Sequence, residues 1–306
     1  MGKEYSFGRM CLATLFIISE GFLYLPFANS EKGGLISLLI ALSGGIFLYI
    51  LWCFLTQKII SLKSNKTPVN LFLTVTALSG CLLFVITAKH IGGYIEINVL
   101  TKGNFVATLV AFVIVMIYIL LCGERVLIKF SVVPFFITLL FVAVLTALAI
   151  GSFKWGYAKD IIIGKPLPVL KQSAYMCMRI FLSSAIFGVF SALAFSDNSK
   201  KQDVKGFVIG GLLLLISYFV PVMIFSLKTA TELKYPFQAG IGVLNVGNLF
   251  TRLDGLSYFI VIFSCFVRSA VGVLTVKLCL EKIGVKHIKA VSSGIILLSA
   301  VSLFVI

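Results

Sequence analysis

The stretch FGRMCLATLFIISEGFLYLPFAN, Phe7 to Asn29, decides the fold. At 1.5 Å of rise per residue it is long enough to cross a hydrocarbon layer of about 30 Å as a single helix. It follows a short charged stretch and lacks the small-residue cleavage site of a secretory leader, so it predicts a retained first span. Near its middle, Ser19-Glu20-Gly21 sets a polar pair beside the residue best able to leave helical geometry, which predicts an interruption of the helix there. A charge at that depth costs at least roughly 2.5–3.5 kcal/mol, so Glu20 needs a partner or a wet cavity.

The same apolar pattern recurs along the chain. Runs at residues 7–29, 34–55, 69–100, 105–122, 126–152, 170–195, 205–227, 254–280 and 288–306 predict about nine transmembrane helices in one polytopic membrane domain, 1–306. Hydrophobic residues make up 60% of the 306, and mean hydropathy is +1.11. A soluble domain carries roughly 45–50% apolar residues and has no core able to absorb the excess. Charged residues are only 12% and gather between the runs, as connecting loops do. The expected class is therefore an all-α membrane protein.

The net charge of +15 is spread over short loops, without a long basic tract or a nucleic-acid motif. Anionic lipid headgroups of the bilayer, or an acidic protein partner, account for it better than nucleic acid. With Arg179 and Arg268 set aside as lying inside spans, 14 of the 26 basic residues fall on the N-terminal side and 10 on the other. This bias predicts a cytoplasmic N-terminus in a bacterial cell membrane or spore inner membrane. Two outer segments, 153–169 and 228–250, are long and rich in proline and glycine; short helices or re-entrant turns compete there with plain surface loops.

Several chemistries lack support. The seven cysteines lie in or beside apolar runs without a C-x-x-C pair, and only His90 and His287 are present, so no metal site is expected. No phosphate-binding loop or nucleophile and base pair is evident, and neither an enzyme nor a cofactor is implied. Pro134 and Pro221, inside the fifth and seventh spans, should each free a backbone carbonyl and bend the helix.

Two further charges sit deep in spans. Arg179 is about 13 Å below the start of the sixth, and Arg268 is about 13 Å from Lys277 in the eighth, both near the middle of the core. Ser183, Ser184 and Gly188 hold a middle position in the sixth span comparable with Ser19 to Gly21 in the first. Paired interruptions in corresponding helices point to a transporter-type binding site. The plainer alternatives are an ion pair between Glu20 and Arg179 that only holds the bundle together, and close helix packing for small-residue pairs such as Ser184 with Gly188 or Gly206 with Gly210.

Glu20-Gly21-Phe22-Leu23-Tyr24-Leu25-Pro26 resembles the glycine-containing first-helix break, ending in L-P, of the spore germination receptor B subunits. These are permease-like members of the amino-acid–polyamine–organocation transporter superfamily. Tyr235-Pro236-Phe237, followed by Asn248 to Leu256 with Arg252-Leu253-Asp254, is similar to that family's Y-P segment and its E-R-L-D-A-L helix start. Gly123-Glu124-Arg125 matches its glycine turn before the fifth helix. The resemblance implies a LeuT-type bundle with the first and sixth helices broken, and a small-molecule site between helices 1, 3, 6 and 8. In helix 3, Ser79, Thr87 and Lys89 occupy the stretch where the family places polar residues. The chain departs from the pattern at Thr251, at the charge of Glu20, and in showing no tenth span after Ile306.

The resulting expectation is a germinant receptor subunit that senses a small nutrient, an amino acid, with receptor A and C subunits as partners. The expected ligand-binding residues are Ser19, Glu20, Gly21, Tyr24, Ser79, Thr87, Arg179, Ser183, Ser184, Gly188 and Arg268, with Pro26, Pro236, Arg252 and Asp254 as family-motif positions. A proton- or sodium-coupled amino-acid transporter of the same fold, and an assembly subunit without ligand binding, are the competing readings.

Overall fold

Without water, the backbone of a membrane-spanning segment must satisfy its own polar groups, and this chain does so with helices. In the computed structural model, which describes residues 2–23, 33–61, 66–98, 105–195, 200–233, 235–243 and 254–305, no strand occurs among the described residues. The long helices are α1 (Gly2–Leu23), α2 (Gly34–Ser61), α3 (Lys66–Asn98), α4 (Phe105–Cys122), α5 (Glu124–Ala149), α7 (Pro166–Ala194), α8 (Lys200–Phe225), α11 (Asp254–Ile283) and α12 (Ile288–Val305). Between them lie short α6 (Ala158–Ile162), α9 (Leu227–Glu232) and α10 (Pro236–Val243). Six helices, α2, α3, α5, α7, α8 and α11, are long and apolar enough to cross a membrane. The others, α1, α4 and α12, are apolar helices of 22, 18 and 18 residues. Bulky apolar side chains such as Phe47, Phe54, Leu78 and Leu140 point outward, as a surface bathed in lipid requires.

The packing carries an internal symmetry. In chain order α1 to α5 are the first five long helices, and α7, α8, α11 and α12 are the sixth to ninth. The most extensive contacts are α2 with α7, α3 with α11, and α1 with α8. Adding five to each position, and counting again from one after the tenth, exchanges the first–seventh pair with the second–sixth pair and maps the third–eighth pair onto itself. The lesser contacts of α3 with α4 and of α11 with α12 exchange in the same way. Two related halves interleaved in one bundle generate this pattern, and it is the arrangement built around a central site in repeat-containing transporters.

Small residues allow the closest crossings. A Cβ on Gly80 of α3 would lie 2.8 Å from the Gly272 carbonyl of α11, and one on Gly272 would lie equally close to the Gly80 carbonyl. On α8, a Cβ at Gly206 would lie 2.5 Å from the Met10 carbonyl of α1, and one at Gly210 would lie 2.9 Å from that of Thr14. Thr14 Oγ1 uses the proximity to donate to the Gly206 carbonyl at 3.1 Å. Close packing is thus what Gly206 and Gly210 do. Gly123, at φ 86°, makes the turn between α4 and α5 that few other residues tolerate.

The expected interruptions do not appear where they were placed. Helix α1 runs unbroken through Ser19, Glu20 and Gly21 to Leu23, and α7 runs unbroken through Ser183, Ser184 and Gly188. The reason is local. Ser19 donates to the Phe16 carbonyl and Ser184 to that of Phe181, so these hydroxyls are satisfied within an intact helix, and Ser183 finds its partner on a neighbouring helix. Helix α1 also begins at Gly2, ahead of the expected Phe7, and residues 24–30, with Tyr24 and Pro26, lie outside the described residues. The two segments expected on the outer side hold short helices: two 3₁₀ turns and α6 after α5, and α9 and α10 after α8. The first of these segments is tied over the start of α2 by Gly33 N–H donating to the Asp160 carbonyl at 3.0 Å.

Candidate functional site

The three intramembrane charges come together on one side of the bundle. Glu20, near the end of α1, is 2% exposed, and Arg268, midway along α11, is 4% exposed. Arg268 Nη2 lies 2.5 Å from Glu20 Oε1. Ser183 of α7 completes the cluster: its hydroxyl donates to Glu20 Oε1 and accepts from Arg268 Nη2 at 3.1 Å. The Arg268 guanidinium also rests 5.5 Å from the ring centre of Phe16 on α1, a cation over an aromatic face. One carboxylate, one guanidinium and one hydroxyl from three helices are thus bonded to one another where water is scarce.

Beside this cluster is a cavity of about 450 Å³. Glu20, Ser183 and Arg268 form part of its wall, Arg179 adds a second cation, and Thr76 and Ser79 add hydroxyls from α3. The rest is apolar, from Trp52 of α2, Leu82 and Ile86 of α3, and Phe181, Leu182 and Ile186 of α7 among others. Arg179 lies one turn before Ser183 on α7, with its guanidinium 5.5 Å from the Tyr175 ring centre. The Trp52 indole is fixed by donating to the Ala185 carbonyl at 3.0 Å. A wall of this kind, apolar with a few convergent charged groups, suits a small amphiphile bearing ionised groups.

Of the residues expected at a site, Glu20, Ser79, Arg179, Ser183 and Arg268 line this one cavity. Ser19 is buried inside the bundle and bonded to its own helix. Thr87 is buried and donates to the Leu83 carbonyl at 2.7 Å, and Ser184 turns back on α7, so both hydroxyls serve the backbone. Gly188 faces α2, where a Cβ would lie 3.2 Å from Trp52 and 3.3 Å from Tyr49 and Cys53, a packing role. Gly21 falls in the last turn of α1. Pro236 opens α10 and is buried, and Asp254 opens α11. Tyr24, Pro26 and Arg252 lie outside the described residues.

One cluster escaped the sequence reading, which placed Arg9 with the loop charges. Arg9 of α1 is 4% exposed and Asp203 of α8 is 1% exposed. Arg9 Nη2 lies 2.8 Å from Asp203 Oδ2, and Arg9 Nε donates to Oδ1 at 3.2 Å, the bidentate fork that arginine makes with a carboxylate. Ser191 of α7 accepts from Arg9 Nη2 at 2.9 Å and donates to Asp203 Oδ2 at 2.5 Å. The available signal was an acid and a base each within two residues of the start of an apolar run, which also describes charges that reach back to the headgroups.

Comparison with individually curated proteins yields no match. The family described as "Spore germination protein" matches residues 7–306, nearly the whole chain. An α-helical, transporter-like bundle, a buried polar cluster within it and a match of that extent lead to one conclusion: this integral membrane protein belongs to the spore germination permease family.

Proposed function

We propose that the protein is a germinant receptor subunit that senses a small zwitterionic nutrient, an amino acid, in the cavity bordered by Glu20, Arg179, Ser183 and Arg268. The observation that carries this reading is the joining of a carboxylate and two guanidinium groups on the wall of an otherwise apolar cavity inside the membrane. An α-ammonium group complements Glu20, an α-carboxylate complements Arg179 or Arg268, and the side chain of the ligand occupies the apolar remainder. Ionised hydrogen-bonding partners contribute about 1.5–3 kcal/mol each, so two such contacts are enough to hold a ligand of this size selectively.

In this reading the N-terminus is cytoplasmic, the membrane is the inner membrane of the spore, and receptor A and C subunits read the conformation of the bundle. The ligand acts by binding one arrangement of helices better than another, and its differential affinity sets the largest shift it can produce. Spores carrying Arg179→Gln or Ser183→Ala should need at least about tenfold more amino acid for half-maximal germination. An unchanged dose response in both would contradict the proposal. Sustained, ion-coupled accumulation of amino acid by purified protein in liposomes would move the assignment to transport.

A further inference from the structure

Helix α1 carries both of the buried ion pairs found among the described residues, and their placement along it is regular. Arg9 and Glu20 are 11 residues apart, three turns at 3.6 residues per turn, so they share one face and sit about 16 Å apart along the axis. Each meets a counter-charge on a different helix, Arg9 with Asp203 of α8 and Glu20 with Arg268 of α11. Each is also bridged by a serine of α7, Ser191 at one end and Ser183 at the other. The chain thus clamps one rigid helix at two levels with charges of opposite sign.

We propose that Arg9, Asp203 and Ser191 form a latch that holds the N-terminal end of α1 against α7 and α8, and that α1 couples this latch to the Glu20 cluster as a rigid lever. The existence of the latch is independent of the proposed function; the idea that a ligand operates it rests on that reading.

Three features favour a latch over passive packing. The pair is bidentate, bridged and nearly dry, so it has one well-defined closed geometry and a high cost for every partly open one. The Arg9 guanidinium also stacks 4.4 Å from the ring centre of Phe195, the residue that follows α7, so the latch reaches the α7–α8 connection. Between the two clamps, the α1 surface meets Gly206 and Gly210 of α8, with no side chains interlocking from those positions. Elsewhere between the clamps α1 buries Leu12, Leu15 and Phe16 in the core, with the Phe16 ring 5.2 Å from that of Phe187, and its unbroken backbone joins the two clamps, so displacement at Glu20 is delivered at Arg9. Two discrete arrangements of such an element are the physical requirement for coupling between distant sites.

Native cysteines report on the latch. Cys53 of α2, whose carbonyl accepts from Lys200 Nζ at 3.3 Å, is buried beside it; Cys11, two residues beyond Arg9 and so on the opposite side of α1, is buried where movement of that end of the helix would uncover it, and Cys279 of α11 is buried elsewhere in the bundle. The full chain in nanodiscs is treated with N-ethylmaleimide, and labelling at each cysteine is followed by peptide mass spectrometry. In the unmodified protein Cys11, Cys53 and Cys279 should all be slow. Asp203→Asn should speed Cys11 and Cys53 about tenfold while leaving Cys279 protected, and the double exchange Arg9→Asp with Asp203→Arg should restore protection. Glu20→Gln, about 16 Å away, should also speed Cys53.

Unchanged labelling in Asp203→Asn overturns the latch, and unchanged labelling in Glu20→Gln overturns the coupling. Where Asp203→Asn also exposes Cys279 the fold has been lost, and the gentler Ser191→Ala decides in its place: faster labelling at Cys11 and Cys53 supports the latch and unchanged labelling overturns it. No ligand enters these measurements. Adding a mixture of the twenty amino acids tests the link to sensing separately: faster labelling supports ligand operation of the latch. No change, with the Glu20→Gln effect intact, contradicts ligand operation and leaves the mechanical coupling standing.

Discussion

Glu20 and Arg268, 248 positions apart in the chain, lie 2.5 Å from each other with Ser183 bonded to both. Removing one member of a buried ion pair strands the other charge in a low-dielectric interior, at a cost of about 3–5 kcal/mol. Glu20→Gln and Arg268→Gln should each lower thermal stability in detergent or nanodiscs accordingly. The double variant should lose clearly less than the sum, because neither charge is then left alone. Additive losses would mean that the two residues act independently.

The glycine crossings make a second, steric prediction. Gly272→Val forces a Cβ to within 2.8 Å of the Gly80 carbonyl, and backbone at a helix crossing cannot yield cheaply. Overpacking of this kind costs typically about 1–3 kcal/mol, and the melting temperature should fall. Gly93→Ala on α3, where an added Cβ meets nothing within 4 Å, should be neutral or stabilising by about 0.4–1 kcal/mol. Equal responses at the two sites would argue against the α3–α11 crossing.

Arg179 differs from the clamped pair in being half-buried on the cavity wall, so Arg179→Gln should separate binding from stability. Stability should change by less than about 0.5 kcal/mol, as for surface positions. Amino-acid affinity should fall about tenfold or more through loss of one charge-assisted contact. A variant that melts early without losing affinity would assign Arg179 a structural role instead.

The parts of this account that were legible in the sequence are those decided by local chemistry. Runs of apolar residues long enough to cross a membrane announced the helices, and a charge inside such a run announced its own need for a partner, which is why Glu20, Arg179 and Arg268 stood out. Which charge meets which is a property of the packed bundle. The partnership of Glu20 with Arg268 was not contained in either span. Ser183 and Ser184 looked like interruptions because a hydroxyl in an apolar run has two outlets, its own helix's carbonyls or a neighbour. Ser184 uses the first, while Ser183 uses the second. Arg9 and Asp203 went unnoticed for the opposite reason: close to the start of a span, a buried pair and two charges reaching for headgroups have the same sequence signature.

The central claim is that the cavity beside Glu20, Ser183 and Arg268 binds an amino acid. Equilibrium binding of each of the twenty radiolabelled amino acids to the purified protein in nanodiscs tests it most directly, with Arg179→Gln and Ser183→Ala as paired variants. The account predicts saturable binding of at least one of them, weakened about tenfold or more by each variant while the fold is retained. Saturable binding that both folded variants leave untouched, or no binding of any of the twenty to the unmodified protein, would contradict it.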